Sequence, residues 1–473
     1  MTSSPVFLPI RALGDLIRTR QVSPVELAKI FLDRLETLGP TYNAVVTIVR
    51  ELALEQARAA EKDIAAGRYK GPLHGIPYGA KDLLATGGGI PTTWGAAPFR
   101  HRQFDYDATV IRRLREAGAV LAAKLAMVEL AGGMGYRQPD ASFTGPGVNP
   151  WDTTRWSGGS SSGSGSAVCA GLVPFAIGSE TWGSILGPAN HCGVVGLRPT
   201  FGRVSRYGAM VLSWSLDKIG ALCLTPDDCG LVLEAIAGPD AADPSTTDRA
   251  FQYEPNSPKT RFRLGVVRGV ADGAEAATRK NFEAALKTLE SVAIIEEVQL
   301  PALPYEEVTR TILFGEMASA FEDLIESGQI AGLTAPEDRY TPYSRVAVLA
   351  KDYIRALRLR GIVATEIDRA MRGFDAFLAP SRPASSTRLG EEFPSAIRGV
   401  GKDILGAIGN AAGLPAISVP DGFTENGVPT GIQFMGKPYD ENVIIAAASA
   451  YQAVTDWHLR HPPSALSQPL GGI

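Results

Sequence analysis

Apolar and polar residues alternate along the 473-residue chain with two periods, one typical of helices and the other typical of strands. Residues 23–26, SPVE, form a capping box with Pro at the first helical position, so a helix is predicted to begin there. Apolar residues at helical spacing predict further helices at 50–66, 108–117, 226–237, 274–291, 306–327, 343–372 and 440–457. Short apolar runs bounded by turns predict strands at 74–82, 119–124, 174–178, 263–267, 294–298, 375–379, 416–420 and 430–436.

The order of these elements indicates an α/β fold. Strands that alternate with helices favour a large mixed or parallel sheet that is covered by helices on both faces. No charge block, polar tract or Pro-rich stretch divides the chain, so we expect a single domain, with N-terminal helices of residues 1–70 packed on a catalytic core of residues 71–473. The stretch 315–345 is the least regular, and we expect a variable specificity segment at about 306–372.

Composition narrows the classes of partner and the compartment. The formal net charge is −4 with both signs scattered, which argues against nucleic acid or an anionic membrane as the main partner. No apolar run approaches the roughly 20 residues that a membrane-spanning helix needs, and no signal peptide is recognisable, so we expect a cytoplasmic protein. The four cysteines show no C-x-x-C spacing and are expected to be reduced core residues.

The densest chemical signal lies at residues 158–184. Residues 158–166 are all Ser or Gly, an apolar run follows at 167–177, and a second tight turn lies at 181–184. Glycines let backbone N–H groups approach a reacting carbonyl, while serines supply nucleophiles and proton relays. A flexible linker would not run directly into a buried apolar segment, so this region predicts serine-dependent cleavage of an amide or ester.

Three arrangements of catalytic residues are compatible with that chemistry. Residues 159–163 match the nucleophile elbow G-x-S-x-G around Ser161, but residues 149–156 before it are no apolar strand. Residues 215–218 match S-x-x-K without the motifs that usually accompany it. The third arrangement combines Lys81 with Ser160 and Ser184.

The third arrangement resembles the amidase signature family. Residues 75–82 correspond to its G-I-P-x-x-x-K-D motif, residues 158–164 to G-G-S-S-G-G-S, and residues 178–189 to G-T-D-T-G-G-S-I-R-x-P-A. Similarity continues over nearly the whole chain, at residues 192–200, 202–205, 412–420 and 436–438. The resemblance implies the amidase signature fold and hydrolysis of C–N bonds.

The resemblance also assigns roles to individual residues. It implies that Lys81 is the base, that Ser160 follows a cis peptide bond and relays the proton, and that Ser184 is the nucleophile. The backbone N–H groups of Thr181, Trp182, Gly183 and Ser184 would form the oxyanion hole. Lys81 can act as a base only when neutral, and its place at the end of an apolar strand would bury it and lower its pKa.

Four positions within these motifs depart from the family pattern. Ser162 replaces a glycine, Glu180 an aspartate, Trp182 a glycine and Leu186 an arginine. The ring of Trp182 is expected either to form an aromatic wall of the site or to point into the core. Three residues are expected to support the catalytic groups from behind: Asp82, Ser161 and Glu180.

The predicted activity is that of a free-standing amidase for apolar or aryl acyl amides, with carbamates and esters as further substrates. One alternative is the glutaminase subunit of a tRNA-dependent amidotransferase, in which Arg360 and Asp403 would bind glutamine. The altered oxyanion loop argues against that alternative. Another is a catalytically silent binding protein, against which the intact Lys81, Ser160 and Ser184 argue.

No metal or cofactor is expected, because the proposed chemistry requires none and His458 with His461 gives only a weak metal signal. The expected partner is a small-molecule amide or carbamate, and a homodimer is left open.

Overall fold

A single mixed sheet runs through the computed structural model, which describes residues 5–255, 259, 261–345, 347–394 and 403–466. Its strands are β1 (Val45–Ile48), β2 (Pro77–Lys81), β3 (Val120–Leu125), β4 (Phe175–Glu180), β5 (Val195–Arg198), β6 (Lys218–Cys223), β7 (Phe262–Val267), β8 (Ala293–Val298), β9 (Ala376–Pro380), β10 (Ala416–Phe423) and β11 (Pro429–Met435). Their spatial order is β1-β3-β2-β4-β6-β5-β10-β11-β9-β7-β8.

Helices connect these strands. They are α1 (Ile10–Arg18), α2 (Pro24–Leu38), α3 (Arg50–Ala65), α4 (Thr109–Glu116), α5 (Ser162–Cys169), α6 (Leu186–Cys192), α7 (Pro226–Ile236), α8 (Ala276–Leu289), α9 (Tyr305–Ala320), α10 (Glu322–Glu326), α11 (Thr341–Arg345), α12 (Ala350–Ala370), α13 (Ile404–Ala411), α14 (Glu441–Ala453) and α15 (Pro463–Leu466). The predicted capping box is confirmed, because Ser23 Oγ accepts from Glu26 N and Glu26 Oε2 accepts from Ser23 N.

The sheet is buried on both faces, which confirms the predicted α/β architecture. Along β4, Phe175 and Ile177 pack into one apolar cluster, whereas Ala176 between them packs into a second cluster. Successive side chains of a strand point to opposite faces, so the two clusters lie on opposite sides of the sheet.

The middle of the sheet brings the predicted catalytic segments together. Strand β2 pairs in parallel with both β3 and β4, so Lys81 at the end of β2 and Glu180 at the end of β4 lie at the same edge. Helix α5 begins within the Ser/Gly-rich segment and is buried along its whole length. A Cβ atom at Gly163 would lie 2.3 Å from the carbonyl oxygen of Ala44, so this close approach requires glycine.

Several predicted boundaries were wrong. The helix predicted at 306–327 is divided at the buried Phe321 into α9 and α10, and the one predicted at 343–372 begins only at Ala350, after extended backbone at Leu349. Residues 1–70 contribute a strand as well as helices, because β1 pairs antiparallel with β3. The four cysteines are buried and none forms a disulfide. Among the described residues, no helix combines the length and apolar character required to cross a membrane.

Candidate active site

Lys81 is a fully buried amine at the C-terminal end of β2. Its Nζ donates hydrogen bonds to Ser160 Oγ at 2.8 Å and to Ser179 Oγ at 3.0 Å. No carboxylate of the described residues lies within ion-pairing distance of this Nζ. Among the described residues, the polar atoms that contact this Nζ belong to Ser160 and Ser179, and none of them carries a charge.

The surroundings of Lys81 favour its neutral form. Burial lowers the pKa of Lys81 to about 7, against the weaker opposing effect of the negative charges on Asp217 and Glu180. Removing an ammonium from water disfavours the charged state, and no close partner charge compensates for that loss. A substantial fraction of the Lys81 side chains is therefore neutral near pH 7.

Ser160 and Ser161 occupy a tight turn before α5. The peptide bond between Gly159 and Ser160 is cis, and both serines are buried. Ser161 N donates to Ser184 O at 3.2 Å, while Ser161 Oγ donates to Ser179 O at 3.2 Å and accepts from Ser179 N at 3.3 Å. Ser161 thus fastens this turn both to β4 and to the loop that carries Ser184.

That loop, residues 181–184, carries four backbone N–H groups that lack protein acceptors among the described residues. Within the described part of the chain, no backbone N–H of Thr181, Trp182, Gly183 or Ser184 donates a hydrogen bond. Gly183 has a φ of +81°, and a Cβ atom there would lie 2.7 Å from Arg382 Nη1, so glycine is required. Donors without protein partners beside a serine are the arrangement that an oxyanion hole requires.

Glu180 supports the loop from below. Its Oε2 accepts from Ile185 N at 2.9 Å and from Leu186 N at 3.0 Å, and its Oε1 accepts from Arg198 Nη1 at 2.7 Å. The side chains of Glu180 and Arg198 are both completely buried. Burial alone would raise the pKa of Glu180, but the charges of Arg198 and Lys218 outweigh it and lower the pKa to about 2. Leu186 stands where the family pattern has an arginine. Arg198 nevertheless provides a buried positive charge beneath the loop.

Trp182 forms part of the wall of the cavity in front of Ser184. Its indole Nε1 donates to Asp403 Oδ2 at 3.0 Å, and the Arg310 guanidinium carbon lies 5.6 Å from the centre of its ring. Asp403 also accepts from Arg382 Nη1 at 3.1 Å. The half-buried ring therefore has one edge against the core and is held in place by Asp403.

The structure separates Arg360 from this group. Its Nε donates to Ala411 O at 2.6 Å and its Nη2 donates to Ser215 O at 3.0 Å, so it links α12 to the end of α13. Arg360 is not among the residues that line the cavity. Three other arginines line the cavity, Arg137, Arg310 and Arg382, and sequence reasoning missed all of them. Of these, Arg382 follows β9 and would lie 2.7 Å from a Cβ atom at Gly183.

Asp82 lies behind the site rather than in it. It is fully buried, forms an ion pair with Lys124 Nζ at 3.1 Å and accepts from Thr93 N at 3.0 Å. These contacts fix the turn that follows Lys81. In the S-x-x-K stretch, Lys218 Nζ donates to Asn410 Oδ1 at 2.7 Å, and none of its described hydrogen bonds reaches Ser215.

A cavity of about 650 Å³ opens in front of Ser184. Its wall includes five aromatic side chains, which are Tyr136, Trp156, Trp182, Phe314 and Phe393. It also includes His191, which sequence reasoning missed and which is the histidine of the lining. Burial and the charge of Arg382 lower the pKa of His191 to about 3, and no hydrogen bond joins it to a serine within the described residues. The imidazole partner that a nucleophile elbow at Ser161 needs is therefore not formed by His191.

The described residues contain no group of three or more His, Cys, Asp or Glu side chains arranged to hold a metal ion. His461 instead stacks on Phe7, with ring centres 3.9 Å apart.

Comparison with known proteins gives consistent results. The family profile named Amidase matches residues 26–445. The chain is 35% identical to a glutamyl-tRNA(Gln) amidotransferase subunit from Carboxydothermus hydrogenoformans, over 96% of this chain and 99% of that protein. It is 38% identical to AmiD of Mycobacterium bovis, which is named as an amidase, over 96% of both chains.

Solved structures extend this similarity to the fold. The peptide amidase of Stenotrophomonas maltophilia superimposes with a TM-score of 0.84 at 30% identity, covering 96% of this chain and 98% of its own. A bacterial aryl acylamidase shares the fold, with a TM-score of 0.87 at 23% identity. Because the family profile spans most of the chain and these relatives match over nearly its full length, the protein is an amidohydrolase that belongs to the amidase signature family.

Proposed function

We propose that this amidohydrolase is a free-standing amidase that cleaves apolar or aryl acyl amides through an acyl-enzyme on Ser184. Carbamates and esters would react by the same route, since they also present a carbonyl carbon with a leaving heteroatom. The observation that carries the proposal is the buried Lys81 amine, 2.8 Å from Ser160 Oγ and without a close carboxylate among the described residues. Such an amine is available as a base near neutral pH.

The proposed reaction begins with proton transfer through two hydroxyl groups. Neutral Lys81 Nζ takes the proton of Ser160 Oγ, which takes the proton of Ser184 Oγ as that oxygen attacks the substrate carbonyl. The C–N bond of the tetrahedral intermediate then breaks, and the relay returns the proton through Ser160 to the leaving amine. Water attacks the acyl-enzyme by the reverse sequence and releases the carboxylic acid and free Ser184.

The unpaired N–H groups of residues 181–184 support an oxyanion hole in the proposed mechanism. They point to stabilisation of the negative oxygen that forms during attack, and losing one such donor typically costs ~2.7–4 kcal/mol in the transition state. Glu180 takes up the N–H groups of Ile185 and Leu186, so the next residues along the chain do not compete for that position.

The cavity wall favours an apolar or aryl acyl group. Five aromatic side chains line it together with three arginines, and aromatic rings bind one another with ~0.5–1.5 kcal/mol beyond the effect of area alone. The amidotransferase relatives keep glutamine as the second candidate substrate, since Asp403 and Arg382 lie together beside Trp182. In this structure, however, their charges already pair with each other.

A panel of substrates tests the proposed function. Initial rates would be measured for aryl anilides, primary aliphatic amides, aryl carbamates and glutamine, with the Ser184→Ala variant as the blank for each. We expect the anilides to be turned over fastest and every rate to vanish in Ser184→Ala. Turnover of glutamine alone would replace the proposal with the glutaminase alternative.

A further inference from the structure

A second and larger cavity lies beside the catalytic one and has no role in the chemistry described so far. Its volume is about 850 Å³, within the range of cavities that bind small organic molecules. Helix α9 and the loop at residues 209–214 form much of its wall, and Val348, Ala350 and Tyr353 close it from the side of α12. We call it the apolar cavity.

The lining of the apolar cavity suits an uncharged occupant. Four aromatic side chains take part in it: Trp94, Trp214, Phe321 and Tyr353. Glu316 is the one charged side chain among the described lining residues, and its carboxylate already accepts from Ser213 Oγ, Ser215 N and Tyr353 Oη. Three of the roughly four acceptor positions of this carboxylate are therefore already occupied by protein donors.

An exposed aromatic residue marks the rim. The Trp214 side chain is 57% exposed, which is unusual for so large an apolar ring. It is nevertheless held in place, because the Arg206 guanidinium carbon lies 5.2 Å from the centre of its ring. A fixed, exposed ring at the edge of an apolar cavity is a surface on which an apolar ligand can pack.

The apolar cavity and the catalytic cavity share two walls. In the loop, Val211 lines the apolar cavity and the next residue, Leu212, lines the catalytic one. In α9, Gly315 lines the apolar cavity and Phe314 lines the catalytic one. A small cleft between them shares Ala131, Thr181 and Leu212 with the catalytic cavity and Ala209, Met210 and Val211 with the apolar cavity.

We propose that the apolar cavity binds an uncharged apolar arm of the substrate, so that the enzyme acts on extended amides rather than compact ones. This inference rests on the proposed function. The arm belongs either to the acyl group or to the amine, and both have the same chemistry of recognition. The proposal gives a physical role to part of the segment 306–372, since α9 and the start of α12 shape the cavity.

The test is a series of N-acyl p-nitroanilides with acyl chains from acetyl to decanoyl, and a parallel series of acetanilides with para-alkyl groups of increasing length. In one of the two series, kcat/KM should rise about four-fold for each methylene group that becomes buried. The other series identifies the arm that does not enter the cavity. A flat profile in both series would overturn the proposal.

Two variants fill the apolar cavity without touching the catalytic residues. Ser319 and Ala320 line it from the last turn of α9 and are exposed, so Ser319→Trp and Ala320→Trp should fold. Each should remove the dependence on chain length and leave the rate for the acetyl substrate within about two-fold of the parent. Ala284→Trp, on the exposed face of α8, is the matched control and should behave like the parent.

These outcomes distinguish a failure of the apolar-arm proposal from a failure of the proposed amidase activity. An undiminished dependence on chain length in both filled variants would overturn the apolar-arm proposal while leaving the amidase proposal intact. Failure of the parent enzyme to cleave any anilide would overturn both.

Discussion

Lowering the pH should inactivate the enzyme by protonating Lys81, because only its neutral amine can accept a proton from Ser160. Burial lowers the pKa of Lys81 to about 7 from its ordinary value of 10.5. About nine in ten molecules then carry the neutral base at about pH 8, and about one in ten at about pH 6. We therefore predict that kcat/KM is level above about pH 8 and falls about ten-fold for each pH unit below about pH 6.

Removing the negative charge of Asp217 should also change the pKa of Lys81. It raises the pKa of Lys81, because a nearby negative charge favours the protonated amine. In Asp217→Asn the charge is lost, while the amide oxygen can still accept from the backbone of Leu212 and Ser213. The acid limb of the pH profile should therefore move to lower pH.

The assay is the initial rate of anilide hydrolysis at low substrate concentration, measured from about pH 5 to about pH 9. Asp368→Asn removes an exposed carboxylate on α12 and should leave the acid limb where it is in the parent. A value of kcat/KM that is constant across this range would refute the assignment of Lys81 as the base. An acid limb that does not move in Asp217→Asn would refute the electrostatic reasoning.

Three further outcomes are expected. Glu180→Gln should lower the free energy of unfolding in urea by about 3–5 kcal/mol, because the buried Arg198 loses its charge partner. Lys81→Ala should slow acylation at least about 100-fold with an unchanged circular dichroism spectrum, and an unchanged rate would exclude Lys81 from the mechanism. Burial raises the pKa of Asp421 to about 7. The contribution of Asp421 to the free energy of unfolding is therefore lost as the pH rises from about 4 to about 7. The slope of the free energy of unfolding against pH should be more positive in Asp421→Asn than in the parent over this range, and equal slopes would contradict this.

The sequence patterns predicted the fold class and the long helices, but they missed some short strands and the helix α5. Long amphipathic segments such as α2 and α8 carry enough periodic apolar positions to be recognised. Strand β5 was missed because it has four residues, includes a glycine and is buried throughout, so no alternation of polar and apolar positions marks it. Helix α5 was hidden because a run of serine and glycine resembles a loop, and the reason for that composition is close packing against other backbone segments.

The candidate site was likewise predicted in outline but not in all of its residues. Motif order placed Lys81, Ser160 and Ser184 in one chemical proposal, and the structure puts Lys81 against Ser160 at hydrogen-bonding distance. Spacing along the sequence could not distinguish Arg360 from Arg382, because the approach of a long side chain to a cavity depends on tertiary packing. The signal that could have identified Arg382 is its place three residues after the end of the strand predicted at 375–379.

The most direct measurement of the central proposal identifies the residue that a serine-directed reagent modifies. The enzyme would be treated with phenylmethylsulfonyl fluoride and the adduct located by peptide mass spectrometry, in the parent and in Ser184→Ala, Ser161→Ala and Lys81→Ala. We expect modification of Ser184 in the parent and in Ser161→Ala, none in Ser184→Ala and a much slower reaction in Lys81→Ala. An adduct on Ser161 would contradict this expectation, as would modification of Ser184 at an undiminished rate without Lys81.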